Sequence, residues 1–155
     1  MISIRPAGGG DLESLFALID TIGNFTAAEK ELAREVIGDG LVSETSGYQI
    51  LVALAEGGDL AGFLCYGPIP ITVNRWDLYW IAVDPALSRH GVGSRLLEEM
   101  ERRLGADVHI YVDTSSTPGY TGARAFYERH GYRVACVLPD FYRPGDDKVV
   151  YRKIL

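Results

Sequence analysis

The stretch from Trp76 to Leu104 limits the fold more than any other part of the chain. Trp76 to Val83 is rich in aromatic and β-branched residues and reads as a strand, which Asp84-Pro85 ends because proline cannot continue a ladder. Beyond the loop Ala86-Leu87-Ser88-Arg89-His90-Gly91, residues Val92, Leu96, Leu97, Met100 and Leu104 recur at helical spacing with glutamates and arginines between them. A strand, a short glycine-bearing loop and a helix in that order aim free backbone N–H groups and the positive end of the helix dipole at one spot. That arrangement suits a phosphate or diphosphate. Side chains at positions 91 and 93 would hold phosphate oxygens off the backbone, and both positions are glycine.

Two nucleotide-binding patterns fit this loop poorly. A Walker loop needs Gly-Lys-Ser/Thr ahead of its helix, whereas Gly93 is followed by Ser94-Arg95. A dinucleotide fingerprint needs three glycines, and this loop has Gly91 and Gly93.

The remaining elements surround this unit. Ile2 to Arg5 is a first strand, stopped by Pro6 and the glycines after it. Asp11 is placed to cap a helix whose apolar face is Leu12, Leu15, Phe16 and Ile19. A second helix starts at Thr26, which has capping-box spacing to Glu29, and runs to about Asp39. Tyr48–Ala55 and Leu60–Tyr66 form a hairpin about Glu56-Gly57-Gly58-Asp59. After the central helix come a strand from Val108 to Asp113, a helix from Tyr120 to His130, and strands at Tyr132–Leu138 and Lys148–Ile154. The order describes one α/β domain over residues 1–155, a mixed sheet of about seven strands with helices on both faces.

Composition narrows the function classes. A net charge of −6 argues against nucleic-acid and anionic-membrane partners. No apolar run approaches a membrane span and no signal-peptide pattern follows Met1, so the expectation is a soluble, cytoplasmic protein. Cys65 and Cys136 lie within apolar strand patterns and are expected to be buried free thiols. His90, His109 and His130 fall in three different elements without metal-ligand spacing, so no metal is expected.

Two motifs resemble those of the GCN5-related N-acetyltransferases, the GNAT superfamily. Trp80-Ile81-Ala82-Val83-Asp84-Pro85 followed by Arg89-His90-Gly91-Val92-Gly93-Ser94-Arg95-Leu96-Leu97 is similar to the family's acetyl-coenzyme A motif. Ser88 departs from it, standing where the family has Arg or Gln. Ala123 to Tyr132 is similar to the second motif, with Phe126-Tyr127 as its bulky residue and tyrosine; Tyr120 departs, standing at the asparagine position.

The resemblance implies a mostly antiparallel GNAT sheet with a splayed cleft between the fourth and fifth strands. It further implies acetyl-coenzyme A as co-substrate, held by Ile81, Ala82, Val83, Arg89, His90, Gly91, Val92, Gly93, Ser94, Tyr120 and Arg124. The acceptor is then an amine of a small molecule or of a peptide N-terminus, and the chain a monomer or homodimer.

Acetyl transfer needs an amine without its extra proton, a polarised thioester carbonyl and a donor for the departing thiolate. The resemblance gives the last role to Tyr127. Asp77 and Asp113 both stand where family members carry a base; simple alternation places Asp77, Tyr79, Ile81 and Val83 on one face, and a bulge, which the resemblance makes common in this strand, would shift that parity. The resemblance also implies that Phe141-Tyr142, in the connection between the last two strands, help to hold an acceptor. The departures at Ser88 and Tyr120 keep a second reading open, a non-catalytic coenzyme A-binding sensor or partner subunit.

Overall fold

Seven strands make one sheet: β1 (Ser3–Pro6), β2 (Gln49–Leu54), β3 (Leu60–Pro68), β4 (Arg75–Val83), β5 (His109–Ser115), β6 (Arg133–Arg143) and β7 (Asp146–Ile154). Their spatial order is β1-β2-β3-β4-β5-β7-β6. The computed structural model describes all residues, Met1–Leu155. Helices α1 (Leu12–Asp20) and α2 (Ala27–Val42) join β1 to β2, α3 (Val92–Leu104) joins β4 to β5, and α4 (Thr121–Arg129) joins β5 to β6.

Every neighbouring pair of strands is antiparallel except β4 and β5. These two run parallel, as a strand–helix–strand crossover demands. Their pairing starts at Arg75↔His109 and ends at Leu78↔Val112. Both strands continue past that point, β4 to Val83 and β5 to Ser115, without pairing to each other. The sheet is therefore open between Tyr79–Val83 and Asp113–Ser115.

Two apolar cores lie on opposite faces of the sheet. One packs Val92, Leu96, Leu97 and Met100 of α3 and Tyr127 of α4 on Leu51, Leu64, Leu78, Ile110 and Val112. The other packs Leu15, Ile19, Ala33 and Ile37 of α1 and α2 on Val52, Phe63, Cys65 and Ala82. Helix α3 turns its four fully buried residues inward at i, i+4, i+5 and i+8, so truncating Leu96 to alanine costs about 2–5 kcal/mol.

Simple alternation fails in β4. Cys65 pairs with Trp80 and Tyr66 with Leu78, so Tyr79 is an extra residue in a bulge. Trp76 and Leu78 pack on the α3 side, and so do Ile81 and Val83; Asp77 points to the opposite face. The one-face grouping of Asp77 with Ile81 and Val83 is corrected by that inserted residue.

Three further local expectations change. Asp11 precedes α1 but does not cap it; its carboxylate accepts from Gly8 N at 2.7 Å and pairs with Arg5 at 2.8 Å. Cys136 is exposed, because it lies on β6, an edge strand with all its residues exposed, whereas Cys65 is buried and its thiol is pushed up to about 12 by desolvation. The connection holding Phe141-Tyr142 is not a loop, since β6 runs on through both residues before a turn at Gly145 (φ +81°). The capping box at Thr26 forms as read, Glu29 N donating to Thr26 Oγ1 and Thr26 N to Glu29 Oε2, each at 3.1 Å. No helix is long and apolar enough to cross a membrane.

Candidate active site

The opening between β4 and β5 has two sides. On the α3 side the chain leaves β4 through Asp84, whose carboxylate folds back to accept from Ala86 N at 2.9 Å, and makes one tight turn over Pro85–Leu87. Gly91 then takes a left-handed conformation (φ +71°) as the residue before α3. No protein acceptor reaches the N–H groups of Gly91, Val92, Gly93 or Ser94, and no side chain caps the helix. Arg89, His90 and Arg95 stand exposed around these amides. With its one acid turned away, this tip fits a diphosphate.

The Ser94 hydroxyl lies 2.9 Å from Nε2 of His130, which in turn packs on Phe126 with ring centroids 4.6 Å apart. Thus the first turn of α3 is tied to the end of α4. His90 and His130 sit on the two sides of this junction, and no group of metal-binding side chains forms anywhere in the chain.

Along β4, Asp84 N donates to Ala61 O at 2.8 Å, which fixes the hydrogen-bond phase of the strand. Ala82 accordingly spends its backbone groups on β3, and Ile81 and Val83 present theirs to the open edge. Of the three residues expected on that edge, two have free amides.

Tyr127 is buried, 7 % exposed, in a stack with Tyr132 and Tyr151 at centroid separations of 6.0 and 5.9 Å. The hydroxyls of its neighbours are engaged, Tyr132 donating to Glu101 at 3.1 Å and Tyr151 to Glu128 at 2.9 Å. The Tyr127 hydroxyl has no protein partner and is not among the fully enclosed unpartnered atoms, which are His109 Nδ1 and Thr114 Oγ1. Burial, and secondarily Tyr120, push its phenol well above the usual range, so it keeps its proton at neutral pH.

The opposite side holds a pocket of about 340 Å³ lined by Ile69, Thr72, Arg75, Asp77, Tyr111, Asp113 and Val150. Both base candidates are therefore brought together. Asp113 is ion-paired, its Oδ2 lying 2.9 Å from Lys148 Nζ, and that ammonium also sits 4.4 Å from the Phe141 ring centre. Asp77 has no such partner. Burial, followed by the charge of Asp113, raises its carboxyl above the usual range, against a smaller pull from Lys148.

Tyr120 and Arg124 are committed elsewhere. The one proton of the Tyr120 hydroxyl is shared between Asn24 O at 3.1 Å and Glu29 Oε2 at 3.2 Å, joining the α1–α2 loop to the start of α4. Burial first, then Glu29, push it up to about 12. Arg124 donates to Ser115 O at 2.5 Å and Thr117 O at 2.9 Å, bracing the loop after β5. In the same loop Ser115 donates at 2.5 Å to Asp146, a buried carboxylate that sequence reasoning did not single out.

Comparison with known proteins agrees with this geometry. The family model described as "Acetyltransferase (GNAT) domain" matches residues 46–134. A blasticidin-S acetyltransferase from Streptomyces morookaense is 37% identical over 93 residues, covering 60% of this chain and 65% of that protein. The chain spans 52% and 65% of the lengths of the first two curated relatives it matches. A crystal structure described as a putative acetyltransferase of the GNAT family from Desulfovibrio desulfuricans superposes with a TM-score of 0.92 at 34% identity, covering 99% of both chains. The fold also occurs in an aminoglycoside 6′-N-acetyltransferase complexed with coenzyme A, with a TM-score of 0.74 at 17% identity over 97% of this chain and 96% of that one. A sheet that parts between β4 and β5, bare amides where α3 begins and a family match across both features make this chain a member of the GNAT acetyltransferases.

Proposed function

We propose that the chain transfers an acetyl group from acetyl-coenzyme A to an amine by direct attack. The observation that carries the reading is the parting of β4 from β5 beyond Leu78 and Val112, with free amides on one side and an unpaired carboxylate on the other. Acetyl-coenzyme A supplies the acetyl thioester. The amides of Gly91 to Ser94 hold its diphosphate, helped by Arg89 and the helix dipole. Backbone groups of Ile81 and Val83 bond the pantetheine arm, and an N–H of that edge polarises the carbonyl.

Asp77 takes a proton from the incoming ammonium, through a water because aspartate is short. Its raised carboxyl suits the task, since a base works best with a pKa nearer the operating pH. Asp113, neutralised by Lys148, orients that water and the amine. As nitrogen bonds to the acetyl carbon and the carbon–sulfur bond breaks, Tyr127 gives its proton to sulfur, and the second proton shed by the nitrogen returns the phenolate to its neutral form while the first leaves Asp77 for solvent. A hydroxyl without an internal partner is free for that donation.

Thiol release from acetyl-coenzyme A in the presence of an amine panel tests the proposal. Release with at least one amine, lost in Asp77→Asn, is the expected result. A chain that binds coenzyme A and acetylates nothing is instead a binding module, the reading that the Ser88 and Tyr120 departures favour.

A further inference from the structure

Charge on the acceptor face of the sheet is ordered along the strands. Asp77 on β4 and Asp113 on β5 stand next to the opening. Two residues back along each strand come Arg75 and Tyr111, with Arg152 of β7 opposite Tyr111 and His109 beside Arg75. Burial, together with Arg75 and Arg152, lowers the His109 imidazole, so the far end of the face carries positive charge while the histidine stays neutral.

Arg75 and Asp77 line the same pocket and share a face, about 7 Å apart along the strand, yet form no ion pair. Arg75 Nη1 donates to the carbonyls of Val73 and Asn74, each at 3.2 Å, and has no carboxylate partner. A guanidinium and a half-buried carboxylate that line one pocket, each without an ion-pair partner, are complementary to a ligand carrying both charges in reverse order. The reacting amine must lie at the opening, beside Asp77. The rest of the acceptor then extends over Arg75, between the apolar walls Ile69 and Val150.

We infer that the acceptor is a small zwitterion, a free amino acid or close analogue whose carboxylate is taken by Arg75 while its amine faces Asp77. A peptide N-terminus is a poorer match, because there a neutral amide replaces the carboxylate. The inference rests on the acetyl-transfer reading and assigns its acceptor class.

The test compares the proteinogenic L-amino acids, β-alanine and 4-aminobutanoate with their amides and their decarboxylated amines, in thiol-release assays of the wild-type chain and Arg75→Gln. At least one free acid exceeds its amide in kcat/KM by about tenfold or more. Arg75→Gln removes that preference, with the larger change in the KM for the free acid, and Arg75→Lys restores part of the preference. Amides or plain amines that match every free acid overturn the inference and leave acetyl transfer standing. Calorimetry of the free acids needs no turnover: binding that is lost in Arg75→Gln supports the inference even where acetylation is absent, and no binding by any free acid overturns it.

Discussion

Lys148 Nζ and Asp113 Oδ2 lie 2.9 Å apart across the β5–β7 pair, so Asp77 is the carboxylate of their shared pocket that has no ion-pair partner. The two candidates that look equivalent in the sequence differ in this one partner. Asp77→Asn is expected to lower kcat by about 10²-fold, and Asp113→Asn by less. A larger loss at Asp113 would reverse the assignment.

Asp77 must be ionised to accept a proton, so kcat/KM should fall as pH drops through its raised pKa, on the high side of the ordinary carboxylate range. Stability runs the other way. Because the folded value is raised, the protonated carboxyl favours the folded chain at low pH, and that contribution is lost as pH rises from the unfolded to the folded pKa. Asp77→Asn cannot ionise, and should melt no lower than wild type at neutral pH. Thermal melts at pH 4 and pH 7 check the sign.

Tyr127→Phe removes a hydroxyl that makes no bond within the protein. Stability should change by less than about 0.5 kcal/mol, while kcat falls about 10²-fold and the KM for acetyl-coenzyme A moves little. Tyr151→Phe, which loses a bond to Glu128, should show the opposite pattern, a stability loss of about 1 kcal/mol with kcat nearly unchanged. Urea denaturation paired with steady-state kinetics separates them.

Gly62 lets β3 pass close beneath the start of α3. A Cβ there would stand 2.8 Å from Ala82 O and 3.1 Å from Val92 Cγ1. Gly62→Ala should cost about 1–3 kcal/mol and weaken coenzyme A binding, because what must move is the first turn of α3 and the backbone of β4. Calorimetry with coenzyme A reads the second effect.

Tyr120 bridges the α1–α2 loop to α4 through Asn24 and Glu29, and the proposed acceptor pocket opens on the α1–α2 face of the sheet. Tyr120→Phe frees the α1–α2 loop at that end, and should raise the acceptor KM several-fold while the KM for acetyl-coenzyme A stays within about twofold. A change confined to the acetyl-coenzyme A KM would move Tyr120 to the cofactor side.

Local chemistry made much of the fold legible. The Thr26–Glu29 box, the helical spacing from Val92 to Leu104 and the proline after Asp84 each depend on neighbours a few residues away, and each forms as read. The glycine loop belongs to this class, since bare amides at a helix start follow from backbone geometry. Three features lay beyond such reading. The position of the bulge, at Tyr79, depends on how β3 and β4 pair, the exposure of Cys136 on where β6 falls in the sheet, and the Tyr120–Glu29 bond on groups 91 residues apart. Arg75 likewise gains its meaning only once Asp77 and Asp113 are seen in one pocket with it.

The seam that ends at Leu78 and Val112 is four residue pairs long, and through it alone the half-sheet β1–β4 bonds to the half-sheet β5–β7. The apolar core beneath α3 ties the two halves together on one face, and beyond the last pair the strand edges themselves stay unjoined. A long molecule lodged there and bonded to both arms rivets the halves together, and at a concentration 100 times its Kd would add about 2.7 kcal/mol to the cohesion of the whole chain.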